Sequence, residues 1–296
     1  MRQAVKTGME PLPCAKAPLV ESSRTLHTRP MRTLPFLVVA AFMLLAGPAQ
    51  AVLQGTTNRD PNGLRRSVVY IENSEGELCS GAVIAQDLVL TAAHCMMDHA
   101  GYRVVGVNRA FRPQAFNVVA TAVHPAFVQG TTPRTQPGVD LAILKLGRPL
   151  GSDFTPFDLG APGRIGTGDR VTIAGFGLLS ERARRTARTL RQTDIVSLGP
   201  VEVANRVVIV TDRDRLAETT GAGACRGDSG GPILSPTAGG YRLIGIVSWS
   251  SGALRSRDPS ACGGLTAVTP LSEHLGWVMQ GVRALDGMPS SAWTRQ

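Results

Sequence analysis

Eight residues constrain this chain most: Cys225-Arg226-Gly227-Asp228-Ser229-Gly230-Gly231-Pro232. Three glycines crowd around one serine. Glycine is required where a backbone must turn tightly or lie close against a ligand, because no side chain obstructs it. A serine hydroxyl is a weak nucleophile until a neighbouring base takes its proton. Backbone N–H groups turned into such a bend can also hold a developing oxyanion. A bare Gly-Ser-Gly is a solvated turn, so a catalytic reading requires a base and an orienting acid elsewhere in the chain.

Two upstream stretches supply them. Leu90-Thr91-Ala92-Ala93-His94-Cys95 ends a strand-like run in a histidine, and Val139-Asp140-Leu141-Ala142-Ile143-Leu144-Lys145-Leu146 opens an apolar run with an aspartate. Histidine is suited to shuttling protons because its ordinary pKa of about 6.5 lies near neutral pH. A buried aspartate can fix an imidazole tautomer and stabilise the imidazolium. In chain order the three groups are His94, Asp140 and Ser229. The α/β-hydrolase alternative requires the order serine, acid, histidine, whereas this chain has histidine, acid, serine.

With the segments TAAHC, DLAIL and GDSGGP in this order, the sequence resembles the trypsin/chymotrypsin-like serine peptidases, from about Val52 to about Val282. The resemblance implies an all-β fold of two six-stranded antiparallel β-barrels packed together, with a C-terminal helix. The first barrel is expected at about 65–150, the second at about 168–268 and the helix at about 270–284. The implied activity is that of an exported serine endopeptidase acting on polypeptide substrates, with a protein inhibitor as a further kind of partner. Ser229 would attack the carbonyl, His94 would act as base and then acid, and Asp140 would orient the imidazole. Gly227 and Ser229 would donate the oxyanion-hole N–H groups. Asp228 would pair with the freed α-amino group of Val52 rather than take part in the chemistry. The chemistry calls for no metal or cofactor. The alternative is a catalytically silent trypsin-like protein that binds a partner through the same cleft.

The resemblance also places the substrate pocket. Gly223, six residues before the serine, would form its floor, with Ala224 beside it and Gly264 on the other wall. Without an aspartate there, a buried cationic side chain would lack a partner, so uncharged P1 side chains are expected. Ser248 and Trp249 would offer backbone hydrogen bonds to an extended peptide, a form of strand addition. Ser250 would narrow the mouth, and Arg226 would meet acidic groups near the scissile bond.

The leader bears on compartment. Arg32 precedes the uncharged run Leu34–Ala46, and Ala49-Gln50-Ala51 follows. This is the order of a secretory signal peptide, with cleavage expected after Ala51. The run is shorter than the roughly 20 residues of a membrane span, so no span is expected after cleavage, and the protein is expected to be secreted or periplasmic. Met31 is an alternative start to Met1. Residues 1–51 are thus leader and residues 52–296 one peptidase domain.

The net charge of +9 is partly leader, since beyond residue 51 there are 25 basic and 20 acidic side chains. An excess of +5 does not by itself imply nucleic-acid binding. Cys79, Cys95, Cys225 and Cys262 remain in the mature chain. In an exported chain they point to two disulfides, and spacing alone allows three pairings. The resemblance selects Cys79–Cys95 and Cys225–Cys262.

Short β-branched runs separated by turn residues read as an all-β chain. They lie at Ser67–Glu72, Ala82–Ile84, Leu88–Leu90, Tyr102–Val107, Ala115–Val123 and Leu141–Leu146. A second series lies at Arg170–Gly175, Leu190–Ser197, Val207–Val210, Pro232–Leu234, Tyr241–Trp249 and Leu265–Val268. Thr269-Pro270 then opens a helix in which Leu271, Leu275, Val278 and Val282 recur at helical spacing. The arginine-rich stretch from Glu181 through Arg182 to Arg191 reads as an exposed loop, with an anion-binding patch as the alternative. His99, His124 and His274 have no motif around them and are read as structural.

Overall fold

A computed structural model of the chain describes residues 55–57, 63–96, 100–257 and 260–286. The leader, the expected cleavage point and Val52 lie outside these residues, as does His99.

Thirteen strands and one α-helix are present among the described residues. The first barrel comprises β2 (Val68–Asn73), β3 (Leu78–Ala85), β4 (Leu88–Thr91), β5 (Tyr102–Val107), β6 (Pro113–Val123) and β7 (Ala142–Leu146), closed in the order β2-β3-β4-β7-β6-β5. The tight turn at Gln86-Asp87 joins β3 and β4 as an antiparallel hairpin, with Ala82 opposite Leu90. The central strands read as continuous apolar runs because both faces are covered. All of β4 and β7 is buried, including the stem of Lys145, whose Nζ emerges onto Asp87 at 2.5 Å.

The second barrel comprises β8 (Arg170–Gly175), β9 (Arg191–Glu202), β10 (Arg206–Thr211), β11 (Pro232–Thr237), β12 (Gly240–Ser250) and β13 (Thr266–Pro270). Its strands follow the order β9-β10-β13-β12-β11-β8, and pairing of β8 with β9 closes the ring. The short strand β1 (Thr56–Thr57) adds to the outside of β9, with Thr57 opposite Arg191. Ile173, Ile195, Val210, Ile233 and Val268 fill this barrel. Each such side chain contributes about 1.5–3 kcal/mol by leaving water.

Several boundaries differ from the sequence reading: β3 starts at Leu78 rather than Ala82, and β11 runs on to Thr237. β9 continues five residues beyond Ser197, because Gly199 at φ +98° lets the strand bend and keep its pairing with β10. The helix starts later than expected. Thr269 and Pro270 remain extended, opposite Ile246 and Gly245 of β12, and a single 3-10 turn over Leu271–Glu273 follows. Helix α1 then runs over Leu275–Asp286 and buries Val278 and Leu285 in the first barrel's core cluster. Proline's fixed φ suits an extended strand end as well as a helix first turn. Among the described residues no helix is long and apolar enough to cross a membrane.

Candidate active site

His94 lies on a 3-10 turn, Ala93–Cys95, directly after β4, and Asp140 lies two residues before β7. Because β4 and β7 pair with Thr91 opposite Ala142, the turn and the aspartate emerge from the same end of the barrel. His94 N–H donates to Asp140 Oδ1 at 2.9 Å, and His94 Nδ1 meets Asp140 Oδ2 at 2.8 Å. A ring nitrogen facing a carboxylate oxygen carries the proton, which leaves Nε2 as an acceptor. Asp140 is fully buried, whereas the His94 side chain is 18% exposed.

A third donor reaches Asp140 from the other barrel: Ser248 Oγ donates to Oδ2 at 2.5 Å. Ser248 sits where β12 slips register against β13, between the pairs Val247–Val268 and Trp249–Ala267. Such a bulge re-aims a side chain out of the strand's alternation. Ser248 was expected to offer its backbone to a bound peptide; its side chain is fully buried against Asp140. Burial alone would raise the Asp140 pKa. The His94 charge, the ring and backbone bonds from His94 and the Ser248 hydroxyl outweigh it and hold the carboxyl below its ordinary value.

Ser229 follows β10 and precedes β11 in a turn stabilised from within. Asp228 N–H donates to Cys225 C=O at 3.1 Å, and Gly231 N–H to Asp228 C=O at 2.9 Å. Arg226 C=O accepts from Leu178 N–H at 2.8 Å, and Gly227 C=O from Ser80 Oγ at 2.8 Å. A trans peptide points its N–H opposite to its C=O. With the carbonyls of Arg226 and Asp228 tied back, the N–H groups of Gly227 and Ser229 have no backbone acceptor among the described residues. Gly227 is at φ +95°, and a Cβ there would lie 3.0 Å from Gly177 Cα and 3.1 Å from Leu78 Cδ2. Its backbone conformation and its crowding both require glycine.

Ser229 and His94 line one open cleft of about 760 Å³, together with Leu78, Glu181, Arg188 and Arg226. Ser229 Oγ makes no hydrogen bond to His94 in this structure. Resting sites often hold such contacts long and tighten them only with substrate. The two disulfides are Cys79–Cys95, behind His94, and Cys225–Cys262, behind the serine turn. Cys79, Cys95 and His94 stand close enough to suggest metal ligands, but both sulfurs are engaged in the disulfide.

Of the expected pocket residues, Arg226 lines the cleft with His94 and Ser229, and Gly223, Ala224, Ser248, Trp249, Ser250 and Gly264 do not. Gly223 and Ala224 are buried, and a Cβ on Gly223 would lie 3.5 Å from Thr266 Oγ1. Thr266 Oγ1 also accepts Ala224 N–H at 3.2 Å, which puts a neutral hydroxyl, one that the sequence reading missed, beside Gly223. Gly264 receives the Thr211 hydroxyl on its carbonyl at 3.1 Å. Ser250 Oγ is spent on Ala261 C=O. Ser250 C=O accepts from Arg134 at 2.9 Å, and that guanidinium also lies 5.2 Å from the Trp249 ring centre.

Arg226 is exposed and pairs with Glu181 at 2.7 Å, and the same carboxylate oxygen accepts Ala261 N–H at 3.2 Å. In the arginine-rich stretch, Arg188 pairs with Glu72 at 2.6 Å. Arg191 begins β9 within the strand expected at Leu190–Ser197, but it is buried, unlike the exposed loop expected up to it.

Comparison with known proteins agrees with this architecture. The family model described as Trypsin matches residues 54–273. Vitamin K-dependent protein C of Oryctolagus cuniculus is 27% identical over 246 residues, covering 76% of this chain and 51% of that protein. Brachyurin of Leptuca pugilator is 32% identical over 163 residues, covering 52% of this chain and 70% of that protein. The chain thus spans about half the length of the protein C relative. Among solved structures, neuropsin, a serine protease expressed in the limbic system of mouse brain, superposes with a TM-score of 0.59 at 21% identity. The match covers 77% of this chain and 99% of neuropsin. Human heparin binding protein gives a TM-score of 0.58 at 22% identity, covering 80% and 98%. At these identities the structural matches speak for the fold.

Proposed function

This chain belongs to the trypsin family, whose serine proteases hydrolyse peptide bonds, and on that premise we propose that it is an exported serine endopeptidase using His94, Asp140 and Ser229. The observation that carries the reading is the buried Asp140 carboxylate on His94 Nδ1, at the cleft that Ser229 lines. That bond leaves Nε2 to take the Ser229 proton as Oγ bonds to the substrate carbonyl carbon. The carbonyl oxygen becomes an oxyanion, received by the N–H groups of Gly227 and Ser229. His94 then passes the proton to the departing amine as the C–N bond breaks. Water repeats the sequence on the acyl-enzyme, with His94 again the base, and frees Ser229.

Gly223 and the neutral Thr266 hydroxyl beside it support a preference for uncharged P1 side chains. Export is supported by the signal-like run before Ala51 and by the two disulfides, which persist in oxidising compartments.

The test is fluorophosphonate labelling of wild type and Ser229→Ala, with N-terminal sequencing of the exported protein. Labelling that requires Ser229 supports the peptidase, and peptide-library profiling then reads P1. An intact wild type that takes no label overturns the proposal in favour of a silent trypsin-like binding protein.

A further inference from the structure

Asp228 lies under the Ser229 turn with no exposure. Oδ1 accepts Gly177 N–H at 2.8 Å, and Oδ2 accepts Cys225 N–H at 2.9 Å. The chain around β8 accommodates the carboxylate with glycines. A Cβ on Gly175 would lie 2.3 Å from Asp228 Oδ1, and one on Gly177 2.6 Å from its Cγ.

Arg191 reaches the same place from β9. It is 6% exposed and stands opposite Gly175 in the β8–β9 ladder. Its Nη1 donates to Gly177 C=O at 3.3 Å and to Thr189 C=O at 3.1 Å, while its buried Nε has no acceptor. Gly177 therefore stands between the two side chains, with its N–H on the carboxylate and its C=O on the guanidinium.

A guanidinium stays charged inside a protein. Removing it from water costs several kcal/mol unless an opposite charge lies near. Burial pushes the Asp228 carboxyl up to about 6, opposed by the Cys225 and Gly177 N–H groups and by the Arg191 charge, and burial lowers Arg191, opposed by the Asp228 charge. The neighbouring β3 offers only the neutral hydroxyl of Ser80, which bonds to Gly227 C=O.

We propose that Arg191 is the resident counter-charge of Asp228, a positioning residue that holds the Ser229 turn in order without a freed amino terminus. The sequence resemblance assigned that partnership to the α-amino group of Val52. β1 brings the entering chain to β9 with Thr57 opposite Arg191, so an amino group delivered to Asp228 would join a cation that already acts on it across Gly177. The consequence for activation rests on the peptidase reading. The charge pairing itself does not.

Two experiments separate them. In the full chain carrying Ser229→Ala, urea unfolding is measured for Arg191→Gln, Arg191→Lys, Asp228→Asn and the Arg191→Gln/Asp228→Asn pair. It is run near pH 5 and pH 8, on either side of the Asp228 value of about 6. Removing Arg191 is expected to lower the folding constant by about tenfold more at the higher pH, where Asp228 is ionised. That excess should vanish with Asn at 228, and Arg191→Lys should restore most of it. A loss independent of pH and of residue 228 overturns the pairing. If Arg191→Gln does not fold, the same cycle is read with Arg191→Lys and Asp228→Asn.

In the second experiment, fluorophosphonate labelling compares chains starting at Val52 with chains extended upstream of it. Labelling rates within about threefold, a difference of under 1 kcal/mol, are expected. A requirement for the Val52 terminus of tenfold or more overturns the activation claim. If neither chain labels, the peptidase reading fails, and the unfolding cycle still decides the pairing.

Discussion

Ser248→Ala should destabilise the protein in a pH-dependent way. Asp140 accepts three hydrogen bonds, from His94 N–H at 2.9 Å, His94 Nδ1 at 2.8 Å and Ser248 Oγ at 2.5 Å. Its carboxylate is fully buried, so no water stands ready to replace a lost donor. A hydrogen bond to a charged group contributes about 1.5–3 kcal/mol. The substitution is therefore expected to cost about 2 kcal/mol at neutral pH and to raise the native Asp140 pKa.

The sign follows from linkage. The native pKa of Asp140 lies below its ordinary value, so its contribution is present above the unfolded pKa of about 3.9 and is lost as pH falls through the native one. The gap between wild type and variant should thus be full at neutral pH and shrink through the acid range as both forms become protonated. Urea unfolding across this range, in a Ser229→Ala background to prevent self-cleavage, reads the gap directly. A gap that stays constant with pH would show that the variant loses packing rather than a donor to the carboxylate, and the reasoning would fail. In the active chain, a less firmly held imidazole should cost on the order of tenfold in kcat/KM.

Three further outcomes are expected. His124 and His274 meet edge to face at 5.6 Å beside Trp277, and burial lowers the pKa of both; the His274 charge adds to the effect on His124, and Glu273 opposes it at His274. Stability should therefore fall as pH drops below about 6.5, and Tm against pH for His274→Gln should show a shallower fall. Arg134→Ala frees Ser250 C=O and the Trp249 face, so KM for extended peptides should drop about threefold while small ester substrates are unaffected; equal effects on both would refute this. Replacing Cys225 and Cys262 by serine opens a bridge across a separation of 37 residues and should cost about 3–4 kcal/mol in urea unfolding.

The legible parts of the chain were those whose chemistry is local. The serine turn, the histidine turn and the aspartate each occupy a few consecutive residues, and the tight geometry of each demands particular residue types. Strands buried on both faces, such as Ala142–Leu146, announce themselves as apolar runs. What escaped was set by partners distant in sequence. Ser248 reaches Asp140 across 108 residues, and only because the β12 bulge breaks the alternation that strand reading assumes. Arg191 was legible as part of a strand, but its burial near the Asp228 carboxylate was not, because the arginine-rich composition around it says exposed surface. Pro270 satisfies the rules for a strand end and a helix start equally, and pairing with Gly245 decides between them.

The site is also where the two barrels complete each other. The second barrel's Ser248 supplies a donor to Asp140 of the first. In return, Ser80 of β3 donates its N–H to Ser229 C=O at 2.7 Å and its hydroxyl to Gly227 C=O at 2.8 Å, and accepts Phe176 N–H at 3.0 Å. Thr91, three residues before His94, returns its hydroxyl to Ser80 C=O at 2.8 Å. Each is a buried polar group, and leaving one without its partner costs about 1–3 kcal/mol. Separating the barrels would strand several of them at once. Order in the serine turn and docking of the barrels should therefore be lost together, so a denaturant series should show Ser229 labelling disappear in the same transition as the barrel-core signal.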